Sequence, residues 1–116
     1  MFKVLIVDDD ANAREGLKQI LTAAGYEALT AQTFQEGQTI LEAQLPDLLI
    51  ADVRLGDFNG LQLIALNQRS IPAIVLTGFD DVVLEQDARK FGADYLLKPV
   101  DPKALLELID QKRTGR

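Results

Sequence analysis

Hydrophobic and polar residues follow two alternating patterns along the chain. Strand-like segments, rich in apolar and β-branched residues, lie at positions 3–7, 27–31, 47–52, 73–77 and 94–98. Segments whose apolar residues recur at helical spacing lie at 11–25, 34–45, 60–68, 80–92 and from 101 onward. Five strands alternating with five helices predict an α/β fold in which helices cover both faces of a parallel sheet.

Residues that favour helix ends agree with these boundaries. Asp10 and Asn59 precede the first and third helices as candidate N-caps, because short polar side chains accept backbone N–H groups there. Asp101 and Pro102 begin the last helix, and Gly25 follows the first. The local signals therefore support the alternation independently of the hydrophobic pattern.

Composition restricts the chemistry that such a fold can perform. The chain has 116 residues, which suits one domain, and a formal net charge of −6, which disfavours direct nucleic-acid binding. It contains no Cys and no His, so thiolate ligands and imidazole bases are excluded and a metal site must use oxygen ligands. No apolar run predicts a membrane span, and we expect a cytoplasmic protein.

Polar residues stand at the carboxyl ends of four predicted strands. Asp8 and Asp9 follow the first strand, Asp52 ends the third, Thr77 the fourth and Lys98 the fifth. The carboxyl ends of parallel strands meet at one edge of the sheet, and ligands of such folds bind there. We therefore expect these side chains to lie together.

Three carboxylates in one place repel each other unless a cation lies between them. Mg²⁺, which binds carboxylates and water at ~2.0–2.1 Å, would supply that charge, and Lys98 would balance the remainder. One carboxylate then becomes a candidate nucleophile toward phosphorus, with Lys98 and the Thr77 hydroxyl as further contacts to the transferred group. The residues alone therefore indicate phosphoryl transfer with Mg²⁺ as the cofactor.

Four motifs resemble those of the receiver domain of bacterial two-component response regulators; in chain order they are "VDDD", "ADVRLGDFNG", "VLTG" and "DYLLKP". The resemblance covers nearly the whole chain. It implies a flavodoxin-like (βα)5 three-layer sandwich with a five-stranded parallel sheet. It also implies a single receiver domain over residues 1–116, in which 111–116 are a tail or the start of a linker.

The resemblance assigns roles to the acidic residues. Asp52 is the implied phosphoacceptor, and Asp8 and Asp9 are the implied pair that binds Mg²⁺ together with Asp52. The backbone carbonyl of Arg54 is an implied further ligand of the metal. Asp10, the third carboxylate of the first motif, remains the predicted N-cap of the first helix.

The resemblance also implies a conformational switch. Thr77 and Lys98 would contact the phosphoryl group, and Tyr95 matches an aromatic residue that changes rotamer on activation. The Lys98–Pro99 peptide bond is expected to be cis, because X–Pro bonds are the main site of cis peptides.

The implied function is that of a signalling phosphoacceptor rather than an enzyme, although the chain assists its own phosphorylation and dephosphorylation. A sensor histidine kinase or a phosphotransfer protein donates the phosphoryl group, and an output domain or a downstream protein responds. The first helix, with Arg14, Glu15 and Lys18, is the expected docking surface of the kinase. A homodimer through the fourth helix, fifth strand and fifth helix is a further family expectation.

Two other functions remain open. Asp8 and Asp10 have the spacing of the nucleophile motif in haloacid-dehalogenase-like phosphatases, of which this chain would be a fragment. Such enzymes need further acidic residues after the lysine, and only Asp101, a predicted helix cap, follows Lys98 closely. The other alternative is a receiver-like interaction module that does not use phosphate, although such modules usually lose part of the acidic pocket.

Overall fold

The computed structural model describes residues 1–55, 58–66, 71–78 and 82–114, and for 55, 58–59 and 82–84 it describes the backbone. Within these residues, strands lie at Lys3–Val7 (β1), Glu27–Ala31 (β2), Leu48–Asp52 (β3), Arg54–Leu55 (β4), Phe58–Asn59 (β5), Ala73–Thr77 (β6) and Ala93–Leu97 (β7). Helices lie at Ala11–Ala23 (α1), Phe34–Ala43 (α2), Gly60–Ala65 (α3), Val82–Lys90 (α4) and Pro102–Arg113 (α5).

The five longer strands form one parallel sheet in the order β2–β1–β3–β6–β7. This is the strand order of flavodoxin-like folds, and the predicted fold class is confirmed. The order reverses between β1 and β3, which pair from Val4–Leu48 to Val7–Ala51. A crevice forms at such a reversal beyond the carboxyl ends of the strands, and this is where the candidate residues lie.

The core consists of two layers of apolar side chains, one on each face of the sheet. Leu5 and Val7 of β1 belong to one layer, and Val4 and Ile6 to the other. Residues of α2, α3 and α4 pack into the first layer, and residues of α1 and α5 into the second. The centre of β1 is therefore buried on both faces, as its continuous apolar run predicts.

The helix caps agree with the sequence where the structure describes them. Asp10 accepts a hydrogen bond from the Asn12 N–H at 3.0 Å, and Asp101 accepts one from the Lys103 N–H at 3.2 Å, so both are N-caps. Asn59 lies in β5, directly before α3, and its side chain is outside the described part of the chain. No helix in the described ranges is long and apolar enough to cross a bilayer.

Predicted and observed boundaries differ by one to three residues at α1, β3, α3, α4 and β7, and there are three further differences. α2 ends at Ala43 rather than at position 45. The antiparallel pair β4–β5 was not predicted, because strands of two residues leave no periodic pattern in the sequence. Residues 111–113, part of the segment expected to be a tail or the start of a linker, form the last turn of α5, where Lys112 makes an ion pair with Asp94 of β7. Parts of the predicted third and fourth helices, at 67–68 and 80–81, lie outside the described residues.

Candidate functional site

Four polar residues that the sequence predicted to lie together do stand at one rim of the sheet. Asp8 follows β1, Asp52 ends β3, Thr77 ends β6 and Lys98 follows β7. Asp8, Asp52 and Thr77 are the buried polar residues of the described part of the chain, with exposed fractions of 1%, 8% and 2%. Burial of polar groups is unfavourable without partners, so each of these side chains needs specific contacts.

Lys98 makes the central contact of the site. Its Nζ donates to Asp52 Oδ2 at 2.7 Å and to Asp8 Oδ2 at 3.2 Å. Its backbone N–H donates to the Thr77 carbonyl oxygen at 2.7 Å, and its peptide bond to Pro99 is cis, as expected. The lysine therefore joins the ends of β1, β3, β6 and β7 around two buried carboxylates.

The Asp52 carboxylate is held at both oxygens. Oδ2 accepts from Lys98, and Oδ1 accepts from the backbone N–H of Arg54 at 3.2 Å. Arg54 begins β4, two residues beyond Asp52. The turn after β3 therefore orients the Asp52 carboxylate at the end of that strand. A carboxylate fixed in this way presents a defined direction of approach to an electrophile.

Three carboxylates form a group that fits a hard cation. One oxygen from each of Asp8, Asp9 and Asp52 lies within 4.8 Å of the other two. Asp8 and Asp52 are buried and Asp9 is exposed, so an ion could enter from the side of Asp9. Ligands of an octahedral Mg²⁺ site are up to about 4 Å apart, which small side-chain rotations would achieve here. The residues present therefore fit the metal that the sequence predicts.

The electrostatic environment of the site follows from this geometry. Burial raises the pKa of Asp8, and the Asp52 charge raises it further, while the Asp10 N–H and the Lys98 ammonium oppose the shift. Burial lowers the pKa of Lys98, but the hydrogen bond and charge of Asp52 outweigh it, and the net pKa is raised. Lys98 is therefore a fixed cation at neutral pH, placed where negative charge would accumulate.

Tyr95 lies away from the acidic rim. It occupies the middle of β7, where it pairs with Val75 of β6, and its side chain is half-buried. Thr77, the residue at the rim, is two positions beyond Val75 along β6. The two predicted switch residues thus lie on neighbouring strands: Thr77 at the acidic rim and Tyr95 in the middle of the sheet.

Two residues contact the site in ways that the sequence did not indicate. Arg14 of α1 donates from Nη1 to the Asp8 carbonyl oxygen at 2.8 Å. Gly60 begins α3 so close to β3 that a Cβ atom there would overlap the carbonyl oxygen of Asp52. The glycine before an apolar helical segment was a weak signal of close packing, whereas no local pattern predicts the reach of Arg14.

Comparison with known proteins agrees with the fold. Residues 4–110 match the family described as the response regulator receiver domain. An uncharacterized 14.6 kDa protein of Leptolyngbya boryana is 36% identical, and the match covers 93% of this chain and 87% of that protein. The transcriptional regulatory protein GlrR of Escherichia coli is also 36% identical, over 92% of this chain but 25% of its own length.

A solved structure shows the same architecture over its full length. The CheY-like response regulator receiver domain protein of Methanospirillum hungatei superposes with a TM-score of 0.90 at 32% identity, and the match covers 100% of this chain and 99% of that one. The match of sequence and of fold extends over all of the strands that carry the acidic rim. The chain described here belongs to the response regulator receiver domain family.

Proposed function

We propose that Asp52 is the phosphoacceptor of this receiver domain and that a partner histidine kinase or phosphotransfer protein is the donor. The observation that carries this proposal is the contact of Asp52 with Lys98 at 2.7 Å beside the Asp8–Asp9 pair. Asp52 is the more accessible nucleophile, because its side chain is 12% exposed, against 1% for Asp8. An incoming phosphoryl group needs that access.

The transfer needs little beyond positioning and charge neutralisation. A carboxylate oxygen of Asp52 attacks the phosphorus, the P–N bond of the donor phosphohistidine breaks, and the imidazole leaves with the bonding electrons. Asp8, Asp9, Asp52 and the Arg54 carbonyl would hold Mg²⁺, which offsets charge on the phosphoryl oxygens when bound. Lys98 and the Thr77 hydroxyl contact the same oxygens. The chain thus assists a stoichiometric reaction and is not a turnover enzyme.

The phosphoryl group would act on Thr77 and Lys98 together. These residues are joined by a backbone hydrogen bond of 2.7 Å, and Thr77 pairs with Leu97 across β6 and β7. A new group with roughly −1.5 to −2 charge at Asp52 would draw both residues toward it. Movement of β7 would reach Tyr95 and the face formed by α4, β7 and α5, through which we propose that the domain controls an output domain, a downstream protein or its own dimerisation.

The donor would dock on α1, next to the acidic rim. Glu15 and Lys18 are exposed on this helix. Beside them, Leu17 and Ile20 line a groove of about 220 Å³ that extends to Lys98 and Pro99. A partner bound in this groove would reach Asp52 from the side of Lys98. We place the reaction in the cytoplasm, as the sequence predicts.

Neither alternative function gains support from an observation on the structure. The phosphatase reading requires Asp10 to act on a substrate, but its Oδ1 accepts the N–H of Asn12 and caps α1. A receiver-like module that does not use phosphate would usually lack some residues of the acidic pocket. Here the carboxylates of Asp8, Asp9 and Asp52 lie together, and Lys98 contacts Asp52.

Acetyl phosphate labelling tests the proposal without a kinase. With Mg²⁺, the intact mass of the wild-type chain should increase by one phosphoryl group, and chelation of the metal should prevent the increase. Asp52→Asn should remain unlabelled. Asp10→Asn is the matched control, because Asn also caps helices, and it should label like the wild type. Equal labelling of the wild type and Asp52→Asn would refute the assignment.

A further inference from the structure

Arg14 ties the beginning of α1 to the end of β1. Its Nη1 donates to the carbonyl oxygen of Asp8 at 2.8 Å, and its backbone N–H donates to the carbonyl oxygen of Asp10 at 2.9 Å. The connection between β1 and α1 is therefore held on both sides of Asp9 by one residue. Arg14 is half-buried, unlike the exposed Glu15 and Lys18 on the same helix.

The carbonyl that Arg14 holds belongs to the peptide unit between Asp8 and Asp9. The next peptide unit is held as well, because the Asp10 N–H donates to Asp8 Oδ1 at 2.9 Å. Since peptide units are planar, restraining both units that flank the Asp9 Cα restricts the direction in which the Asp9 side chain leaves the backbone. The other polar groups of Asp8 are already engaged: its N–H donates to Ala31 and its carboxylate accepts from Asp10 and Lys98. The contact with Arg14 completes the restraint on this turn.

We infer that Arg14 is a positioning residue of the metal site, which presents Asp9 beside Asp8 and Asp52 before the ion arrives. The inference deepens the proposed function and rests on it, since it assumes that the acidic pair binds Mg²⁺. From the sequence, Arg14, Glu15 and Lys18 are together assigned to kinase docking. The inference gives Arg14 a different role from the other two. Arg14 acts through the backbone of Asp8 and touches no reacting atom.

The charge of Arg14 makes the inference sharply testable. A cation close to three carboxylates repels Mg²⁺, so a purely electrostatic role predicts tighter metal binding when the charge is removed. A positioning role predicts the opposite, because the ligands lose their preset geometry. The sign of the change in Mg²⁺ affinity distinguishes the two.

The experiment compares Arg14→Met, Arg14→Lys and Lys18→Met in the full chain. Lys18→Met is the matched control, since it removes one positive charge from an exposed position one turn further along α1. Calorimetric titration with Mg²⁺ should show a Kd about tenfold higher for Arg14→Met, as for other residues that support metal ligands. Lys18→Met should bind like the wild type, and Arg14→Lys should lie between.

Amide NMR spectra of the metal-free proteins supply a readout that does not depend on the ion. The Asp9 and Asp10 signals should shift in Arg14→Met and stay in place in Lys18→Met. Unshifted signals, or Mg²⁺ binding that is unchanged or tighter in Arg14→Met, would overturn the positioning role. Loss of transfer from the kinase with normal Mg²⁺ affinity would assign Arg14 to docking instead. A wild type that binds no Mg²⁺ would contradict the proposed function, while the metal-free spectra would still show whether Arg14 orders the turn at Asp9 and Asp10.

Discussion

Lys98 Nζ lies 2.7 Å from Asp52 Oδ2, although the two residues are 46 positions apart in the chain. The same ammonium group contacts Asp8, whose side chain is 1% exposed. Without a metal, Lys98 is thus the cation that keeps two buried carboxylates together. The stability of the fold and the chemistry of the site therefore depend on the same side chain.

Replacing Lys98 by Met should destabilise the metal-free domain by about 1–3 kcal/mol, because it leaves buried carboxylates without their charged partner. Saturating Mg²⁺ should restore most of that loss, since the ion neutralises the same charges. Chemical denaturation with and without Mg²⁺ measures both effects. Lys103→Met, at an exposed position of α5, is the control and should change neither value. A loss that Mg²⁺ does not reduce would contradict this account of the ion pair.

Asp9 and Asp10 are neighbours, but their substitutions should affect different properties: Mg²⁺ affinity for Asp9 and stability for Asp10. Asp9→Ala should weaken Mg²⁺ binding at least about tenfold and leave stability nearly unchanged, because Asp9 is exposed and belongs to the carboxylate group. Asp10→Ala should cost about 1 kcal/mol of stability, the usual value of an N-cap, and leave Mg²⁺ binding intact. Titration calorimetry and denaturation of both variants give the comparison. Equal metal affinities in the two would show that Asp9 is not a ligand.

Gly60→Ala should destabilise the domain by about 1–3 kcal/mol, because the added methyl group would overlap the backbone of Asp52 rather than a side chain that can move. Phosphorylation by acetyl phosphate should also slow, as the end of β3 is displaced. Gly16→Ala is the control: nothing lies within 4 Å of a Cβ there. As an Ala in a helix, it should stabilise the protein by roughly 0.5–1 kcal/mol. Denaturation curves that rank the two variants the other way would disprove the close approach.

The pH dependence of stability should change sign with the metal. Burial raises the pKa of Asp8 above its ordinary value of 3.8. A carboxyl group with a higher pKa in the folded state stabilises the fold below its unfolded pKa, and the contribution is lost as pH rises through the folded pKa. Metal-free wild type should therefore lose stability relative to Asp8→Asn as pH rises above about 4.

With saturating Mg²⁺, the wild type should instead gain stability relative to Asp8→Asn over the same range, because the ion binds the ionised carboxylates. Denaturation at a series of pH values, with and without the metal, measures both profiles. Parallel profiles of the two proteins in metal-free buffer would show that Asp8 has an unshifted pKa.

Much of the site could be predicted because it depends on topology. Asp8, Asp52, Thr77 and Lys98 end or follow strands of the parallel sheet, and parallel strands bring such positions to one rim. The contact of Arg14 with Asp8 could not be predicted in the same way. It depends on where α1 packs against the sheet and on the rotamer of a long side chain, and neither leaves a periodic signal in the sequence.

The sequence by itself determined the five strands of the parallel sheet, the five helices and the N-caps Asp10 and Asp101, because apolar periodicity and short polar side chains act over a few residues. It also determined that carboxylates, a hydroxyl and an ammonium group would share one rim. Only the tertiary structure decided that Lys98 lies between Asp52 and Asp8, and that Asp9 faces solvent while Asp8 is buried. These distances join positions up to 90 residues apart, and the packing of helices on both faces of the sheet sets them.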